Sequence, residues 1–380
     1  MGSGTFLLVL VIVTALAFDF TNGFHDTANA MATSIATGAL APRVAVAVAG
    51  VLNLAGAFLS VKVAETVSGG IVDDAKVSLE MIFAGLTGAI LWNLLTWFLG
   101  LPSSSTHALL GGLIGAVWAG AGQSAVHMGE VSGKILVPAL ASPVIACVVA
   151  VSATRLAYAI TRRAGRGVGE RGYRVGQVGS ASLVALAHGT NDAQKTMGVI
   201  TLALVSAGLL GTGSGPPWWV VLTAGLAISL GTYAGGWRII RTMGRRLTDI
   251  APAQGFVAET SAATVILTST HLGFALSTTQ VCTGSILGAG LGRSRPDVRW
   301  KVAGRIAVSW VLTLPAAALL GALSASVADR GGLGVALVAA VTAACATVLA
   351  VLARRRPVTP DNVNAPPPAP RTPAPQHQGP

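Results

Sequence analysis

A polar stretch in the middle of the chain, residues 187–195 (AHGTNDAQK), most constrains what this sequence can fold into. It holds an imidazole, two amides, a carboxylate and an ammonium, yet residues 179–187 and 197–210 on either side are apolar. The combined run is longer than a buried helix of a soluble domain needs and is typical of a membrane segment. Each ionisable side chain there costs about 2.5–3.5 kcal/mol on insertion. The stretch therefore indicates a binding site, with a purely structural Asp–Lys pair as the alternative.

Composition supports the membrane assignment. Of 380 residues, 52% are hydrophobic and only 10% are charged, whereas soluble domains have about 25% charged residues. The net charge of +11 comes from short basic segments between apolar runs without interleaved aromatic residues, so it predicts membrane orientation and not nucleic-acid binding. The three cysteines lie far apart in apolar runs and form neither a metal-binding pattern nor a disulfide framework. We predict an all-α polytopic membrane protein.

The polar stretch has a counterpart early in the chain. Residues 22–29 (NGFHDTAN) interrupt another apolar run, and placing Asp26 on Asp192 also aligns Gly23 with Gly189. Each copy is followed by a hydroxyl-rich segment, residues 104–107 (SSTH) in the first half and 277–280 (STTQ) in the second. Because order and spacing agree, the sequence predicts an internal duplication.

Loop charge predicts the topology. The basic segments 155–174, 238–246, 293–305 and 354–356 are expected in the cytoplasm, and the base-poor loops 67–78, 120–133 and 211–217 outside. This places the N-terminus outside and the C-terminus in the cytoplasm. Residues 80–118 and 254–291 then begin and end on one face each, opposite to one another, and are predicted to be re-entrant hairpins.

The expected fold is an inverted-topology repeat with two broken helices, interrupted at the polar motifs, and two re-entrant helical hairpins. Secondary transporters bind substrate where such discontinuous helices meet, and helix N-termini there favour an anion. The predicted units are a first repeat (1–160), a basic cytoplasmic linker (161–174), a second, inverted repeat (175–330), a final transmembrane helix (331–356) and a disordered Pro-rich cytoplasmic tail (357–380).

The residues 23–29 (GFHDTAN) and 189–195 (GTNDAQK) resemble the paired signatures of the inorganic phosphate transporter (PiT) family, and the segments 102–107 and 277–279 resemble its Ser/Thr-rich hairpin tips. The resemblance covers about residues 5–326 and points to the bacterial low-affinity branch. It implies a phosphate symporter of the cell membrane, driven by a proton or sodium gradient and without another cofactor.

Two departures from the family pattern bear on the coupling ion. Gln280 stands where the family usually has His, and Asn53 stands where many sodium-coupled members have Glu. Asn53 and His25 look more like the proton-coupled bacterial branch. We therefore favour the proton over sodium.

The candidate residues fall into two groups. Two bare carboxylates would repel phosphate, so a cation or proton must accompany it. The coupling group is Asp26, Asp192, His25, His107, Glu259 and Asp19, with Na⁺ at Asp26 and Asp192 as the open metal alternative. The substrate-binding group is Asn22, Asn29, Asn191, Lys195, Ser104, Ser105, Thr106, Ser277, Thr278 and Thr279. Helix packing by hydroxyls and amides, and a structural role for each histidine, are the alternative interpretations.

Three other functions are weighed against the phosphate symporter. A sulfate permease on the same scaffold remains open, although phosphate can donate a proton to a carboxylate and sulfate at neutral pH cannot. An intramembrane serine protease would need Ser105 beside His107 or His188, and the chain has no Gly-x-Ser-x-Gly elbow. A channel is disfavoured only by analogy of architecture. The lipid bilayer and inorganic phosphate are the expected partners, and homo-oligomerisation is left open.

Overall fold

A computed structural model describes residues 3–161 and 166–365, and in these ranges the chain is helical and contains no strand. The first half consists of α1 (Ser3–Thr37), α2 (Pro42–Ala57), α3 (Lys62–Gly69), α4 (Leu79–Leu99), α5 (Ser105–Ala121), α6 (Met128–Val131) and α7 (Val137–Thr161). The rest consists of α8 (Arg166–Ser206), α9 (Trp218–Ala234), α10 (Trp237–Arg241), α11 (Pro252–His271), α12 (Thr278–Leu291), α13 (Trp300–Ala328) and α14 (Gly332–Arg354).

Several of these helices have the length and composition of membrane spans. In the described part of the chain, five are long and apolar enough to cross a bilayer, or up to seven if each of two bent helix pairs counts as one span. This agrees with the predicted all-α polytopic class. The 14 residues of α12 extend only about 21 Å, less than the roughly 30 Å of the hydrocarbon core. The 21 residues of α4 are long enough to cross, so the re-entrant depth of the first hairpin stays a prediction.

The two halves exchange contacts in a matched way. α1 packs against α9 while α8 packs against α2, and the second helix of each hairpin packs against a long helix of the other half, α5 against α13 and α12 against α7. Two of these contacts are made at glycines. A Cβ added at Gly115 would lie 2.0 Å from the carbonyl oxygen of Ala318, and one at Gly288 would lie 2.2 Å from that of Cys147. Small residues therefore let the helices of the two halves approach closely.

The two helix breaks are not where they were predicted. α1 and α8 run unbroken through both polar motifs. The bends lie instead between α2 and α3, at 72°, and between α9 and α10, at 57°. The motif residues keep their backbone hydrogen bonds because neither motif contains proline and their polar side chains recur at helical spacing, so one face can bury them without a break.

Loops of like charge gather at the same end of the molecule. Arg299 donates to the backbone carbonyl of Arg245, and Arg238 donates to that of Arg356, so basic segments from three parts of the chain meet. The base-poor segments also pair with one another, since the N–H of Asp73 donates to the carbonyl of Ala125. This grouping is what the charge pattern predicts, while the side of the membrane each end faces stays a prediction.

The linker and the tail differ in part from expectation. α8 already begins at Arg166, so residues 166–174 of the predicted linker are helical, and residues 162–165 lie outside the described range. The tail prediction is corrected for residues 357–365, which pack onto the basic end: Val363 is buried and Asn364 donates to the carbonyl of Ile35. Residues 366–380 lie outside the described range.

Candidate functional site

Two long helices, α1 and α8, carry the polar motifs on faces that meet in the interior. Their side chains recur every three or four residues and therefore share one side of each helix. The α1 face carries Asp19, Asn22, Asp26 and Asn29, and the α8 face carries His188, Asp192 and Lys195. Each of these residues is exposed by 5% or less. The duplicated motifs thus form one buried polar cluster, which we call the central site.

The carboxylates of the central site lie close together. One ligand atom from each of Asp26, His188 and Asp192 lies within 4.8 Å of the other two. Nδ1 of His25 lies 2.6 Å from Oδ1 of Asp26, and Nε2 of His188 lies 3.3 Å from Oδ2 of Asp192. The other nitrogen of His188 lies 3.2 Å from Oδ1 of Asn53. Asp26 and Asp192 thus each have an imidazole beside them, and the group has the donor set to hold a proton or a hard cation.

Lys195 joins the central site to both hairpin tips. Its ammonium forms an ion pair with Asp192 and donates to Oγ1 of Thr106 at 2.6 Å and to the carbonyl of Leu276 at 3.0 Å. Thr106 in turn donates to the same carbonyl at 3.1 Å. The sequence left open whether Lys195 contacts substrate or pairs with Asp192. In the structure the ammonium of Lys195 pairs with Asp192 and lies where the two tips meet.

The second tip contacts the first motif directly. The amide of Asn29 donates to Oγ1 of Thr278 at 3.3 Å and to Oγ1 of Thr279 at 3.1 Å. The hydroxyl of Thr279 donates to Oδ1 of Asp26 at 3.2 Å. Residues more than 240 positions apart therefore share one hydrogen-bond network. Duplicated motifs that are remote in sequence converge because α1 and α12 are neighbours.

Both tips begin a helix that starts at the central site. Oγ of Ser104 accepts from the backbone N–H of His107 at 3.1 Å, and Oγ of Ser277 accepts from that of Gln280 at 3.3 Å. These two serines are thus N-caps of α5 and α12, which gives them a structural role. The N-termini of both helices contribute positive partial charge and backbone N–H donors, the features that favour an anion.

Several polar groups of this region have no hydrogen-bond partner among the described residues. These are both carboxylate oxygens of Asp19, both amide atoms of Asn22 and Asn93, and the hydroxyl of Ser105. All four residues are buried. Buried polar groups ordinarily have partners, and unpaired ones cost about 1–3 kcal/mol. Asp19 and Asn22 lie on the α1 face of the central site and Ser105 begins α5 at the first tip, so these unsatisfied groups are available to a polar ligand.

Not every candidate lies in the central network. The amide of Asn191 donates to Oγ1 of Thr270 at 2.7 Å, which ties it to the end of α11. His107 is buried within α5. The second ring nitrogen of His25 lies 3.2 Å from Oγ of Ser103 and 3.3 Å from Oγ1 of Thr96, away from the carboxylates.

Glu259 forms a separate polar cluster further along α1. Its carboxylate accepts from Thr33, Ser34 and Ser180 at 2.5 Å each, and from the amide of Gln177 at 3.2 Å. Thr33 follows Asn29 by one helical turn, so this cluster adjoins the central site without sharing a hydrogen bond with it. Four donors from α1 and α8 therefore surround one buried carboxyl group.

The structure adds residues that the sequence candidates lack. His188 is the most important, because it stands beside Asp192 and completes the group of three close ligand atoms. It precedes Asp192 by four residues, so helical spacing alone could have identified it. Ser103, which contacts His25, belongs to the hairpin tip that the sequence had indicated, whereas Thr96 carried no such signal because hydroxyls in membrane helices commonly serve packing.

The chain is similar to known proteins along most of its length. A model of a phosphate transporter family matches residues 22–168 and 162–321. The chain is 56% identical over 363 residues to a probable low-affinity inorganic phosphate transporter of Mycobacterium bovis, covering 95% of this chain and 87% of that relative. Proteins of the same name from Rhizobium meliloti and Bacillus subtilis are 46% and 42% identical, covering 85% and 84% of this chain and 97% and 96% of their own lengths.

A solved structure titled "The sodium-dependent phosphate transporter" has the same fold. Its TM-score is 0.75 at 23% identity, over 85% of this chain and 99% of that one. The predicted helical polytopic class is confirmed by this likeness. The relatives are transporters, which confirms that the chain is not an enzyme and leaves the protease alternative without support. Their names give the sulfate alternative no support either.

Proposed function

Because this chain belongs to the phosphate transporter family, we propose that it imports inorganic phosphate by symport with a cation, and that the cation is a proton in preference to sodium. The observation that carries the proposal is the convergence of both motifs and both hairpin tips on one buried group of two carboxylates and one ammonium. Electrostatics then favours the joint binding of anion and cation, which supports symport.

The charge balance of the central site supports symport. With Asp26 and Asp192 ionised and Lys195 protonated, the three groups carry −1, and Asp19 would make it −2. A phosphate anion entering this buried group would be repelled by like charge. Binding one or two cations, or protonating the carboxylates, removes that repulsion. Phosphate and its coupling ion therefore stabilise one another, which is the thermodynamic condition for coupling.

The expected phosphate ligands are the donors at the two tips. Lys195 can exchange its contact with Asp192 for a phosphate oxygen, and the hydroxyls of Thr106 and Thr279 lie within one hydrogen bond of the same cluster. Asn29 and the unpaired hydroxyl of Ser105 add further donors. The ammonium and the two helix N-termini supply the positive charge that an anion needs.

The contacts of the carboxylates support the proton. Asp26 and Asp192 each face an imidazole, His25 and His188 respectively, and histidine is the side chain that exchanges protons near neutral pH. Asn53 in place of an acid removes one anionic ligand for a metal cation. Sodium remains the alternative, since the same oxygens would bind it as cargo, and the solved structure titled sodium-dependent shares the fold.

The membrane orientation is part of the proposal. We place the protein in the cell membrane with its N-terminus outside and its C-terminus in the cytoplasm, and the two halves as inverted repeats with re-entrant hairpins. The grouping of basic segments at one end supports this orientation. Cysteines at positions 122 and 293 test it: Gly122→Cys should react with an impermeant reagent from outside and Arg293→Cys only from inside. The reverse pattern would overturn the orientation.

The experiment that tests the function is labelled-phosphate uptake by proteoliposomes of the full chain. A proton gradient and a sodium gradient are imposed separately, with valinomycin and potassium holding the membrane potential equal, and excess sulfate is added as competitor. We expect uptake driven by the proton gradient and insensitive to sulfate. Uptake driven only by the sodium gradient would identify sodium as the coupling ion, and the absence of gradient-driven uptake would refute symport.

A further inference from the structure

A cationic cavity lies at the basic end of the molecule, apart from the central site. Five arginines line it together with Val302 and two residues of the tail. The arginines are Arg241, Arg245, Arg246, Arg299 and Arg305, and the tail residues are Asn364 and Ala365. We call it the arginine pocket. Its volume is about 580 Å³, within the range of about 300–1,000 Å³ of small-molecule sites. The guanidiniums come from three parts of the chain, namely the end of α10 with the turn after it, the start of α13, and the loop before α13.

Most of the positive charge in the pocket is not neutralised by the residues that the structure describes. Arg299 pairs with Asp249 at 3.0 Å, which is the one ion pair of these five arginines among the described residues. Five guanidiniums and one carboxylate leave a net charge of +4. Arg246 and Arg305 form no side-chain hydrogen bond or ion pair with any described residue. Like charges gathered around a cavity repel one another, and a bound anion removes that cost.

The remaining arginines are held in place by neutral groups. Arg241 donates to the backbone and side-chain oxygens of Asn362 at 2.6 and 2.7 Å, and Arg245 donates to Oδ1 of Asn364 at 3.1 Å. Arg299 also donates to the carbonyl of Arg245 at 2.5 Å. Such contacts fix the direction of a guanidinium without cancelling its charge. A positive-inside orientation signal needs only the charge, so neither a cavity nor fixed geometry would be expected from that role alone.

We propose that the arginine pocket binds an anion bearing one or two phosphate groups. Guanidinium forks match phosphate oxygens in bidentate fashion, and a phosphate monoester carries about −1.5 to −2 charges at neutral pH, so two such groups balance the net charge of +4. The start of α13 has no acidic residue in its first turn, so its N-terminal dipole adds to the attraction. The same phosphate oxygens are offered by a soluble phosphate compound and by an anionic phospholipid headgroup, whose phosphodiester carries one negative charge and neutralises the pocket only in part.

The test compares a pocket variant with a control that removes equal charge elsewhere. The pocket variant is Arg246→Gln with Arg305→Gln, because these two side chains hold no other part of the structure. The control is Arg295→Gln with Arg355→Gln, two exposed arginines outside the pocket. A third protein, Arg246→Lys with Arg305→Lys, keeps the charge and loses the fork. All are full-length chains purified in neutral detergent and checked for monodispersity.

Two arms distinguish the sources. In the first, equilibrium dialysis measures binding of labelled pyrophosphate, the soluble probe. In the second, native mass spectrometry counts cardiolipin molecules retained after reconstitution with phosphatidylcholine. We expect at least tenfold weaker binding, or loss of the retained lipid, in the Gln pocket variant, an intermediate loss in the Lys variant and none in the control.

The arm in which binding is lost identifies the source. A loss seen only in dialysis indicates a soluble phosphate compound, and a loss seen only in mass spectrometry indicates a lipid headgroup. A loss in both arms indicates a pocket that accepts either ligand. Equal binding by the pocket and control variants in both arms overturns the proposal. The result is independent of phosphate uptake, because none of the substituted arginines belongs to the central site.

Discussion

The two halves of the molecule use the same backbone contacts to present different chemistry. Gly231 on α9 lies against Phe20 on α1, and Gly56 on α2 lies against Leu186 on α8. A Cβ at these glycines would lie 2.1 and 2.3 Å from the respective carbonyl oxygens. Phe20 and Leu186 are separated by the same number of positions as Asp26 and Asp192. The duplication is thus preserved in the packing of the main chain.

The side chains at matched positions have diverged in charge. Asn22 and Asn29 in the first half correspond to His188 and Lys195 in the second. Asp19 corresponds to Ala185, so the first half contributes the additional carboxylate and the second half contributes the ammonium. The exchanged contacts bring Asp26 of the first half beside Asp192 of the second half and its partner Lys195, so the site is built from both repeats together.

Glu259 marks the largest difference between the halves. Aligning the first hairpin with the second, tip on tip, places Leu86 where Glu259 stands, and Val199 corresponds to its partner Thr33. Both Leu86 and Val199 belong to the apolar core. One half therefore buries a hydrogen-bonded carboxylate where the other buries hydrocarbon, so this charge has no symmetric counterpart.

The largest expected effect comes from neutralising either of the two matched carboxylates. Asp26→Asn and Asp192→Asn should each reduce phosphate uptake to background, because the neutral amide can no longer hold the coupling ion. Asp192→Asn should also lower stability more than Asp26→Asn, since stranding the buried ammonium of Lys195 costs about 3–5 kcal/mol. Uptake assays and thermal unfolding in detergent measure both effects. Near-normal uptake by either variant would contradict the site assignment.

Next in size is the packing that the halves have in common. Gly56→Ala and Gly231→Ala should destabilise the protein to a similar extent, by about 1–3 kcal/mol or more, because the added methyl overpacks a helix contact. Thermal unfolding of both variants tests the equivalence. Gly304→Ala on α13 is the matched control, as its Cβ would meet nothing within 4 Å. Strongly unequal losses at the two glycines would break the comparison.

The unmatched carboxylate should have a smaller effect on transport. Glu259→Gln turns one acceptor oxygen into an amide donor that faces hydroxyl and amide donors, a change of about 1–3 kcal/mol, and we expect uptake to fall roughly tenfold without loss of folded protein. Glu65→Gln, at an exposed position of α3, is the control. Initial uptake rates under each imposed gradient provide the measurement. Unchanged uptake in Glu259→Gln would assign this residue to packing alone.

The smallest effect is expected where the two tips differ. Gln280→His makes the second tip resemble the first, in which His107 stands, and leaves the N-cap intact because Ser277 accepts from the backbone of residue 280. We expect the initial uptake rate to change by less than roughly fivefold, which corresponds to about 1 kcal/mol of activation free energy. Uptake measured from pH 6 to 8 would also report any titration of the new imidazole. Loss of transport would show that the amide itself binds the substrate.

Much of the site was available from the sequence because duplication and polarity inside apolar runs are local signals. They identified Asp26, Asp192, Lys195 and both tips. They did not identify His188 as a member, although its spacing from Asp192 would have allowed it. The location of the helix breaks was also wrong, since polarity does not by itself interrupt backbone hydrogen bonding.

By itself the sequence determined the helical membrane class, the duplication and the residues that must avoid lipid, because hydropathy and spacing are properties of consecutive residues. Only the tertiary structure decided which residues meet. Contacts between remote segments place Lys195 against Thr106 and Leu276. They also place Asn29 against Thr278 and bring five arginines around one cavity. Such contacts follow from how whole helices pack, and no local pattern encodes them.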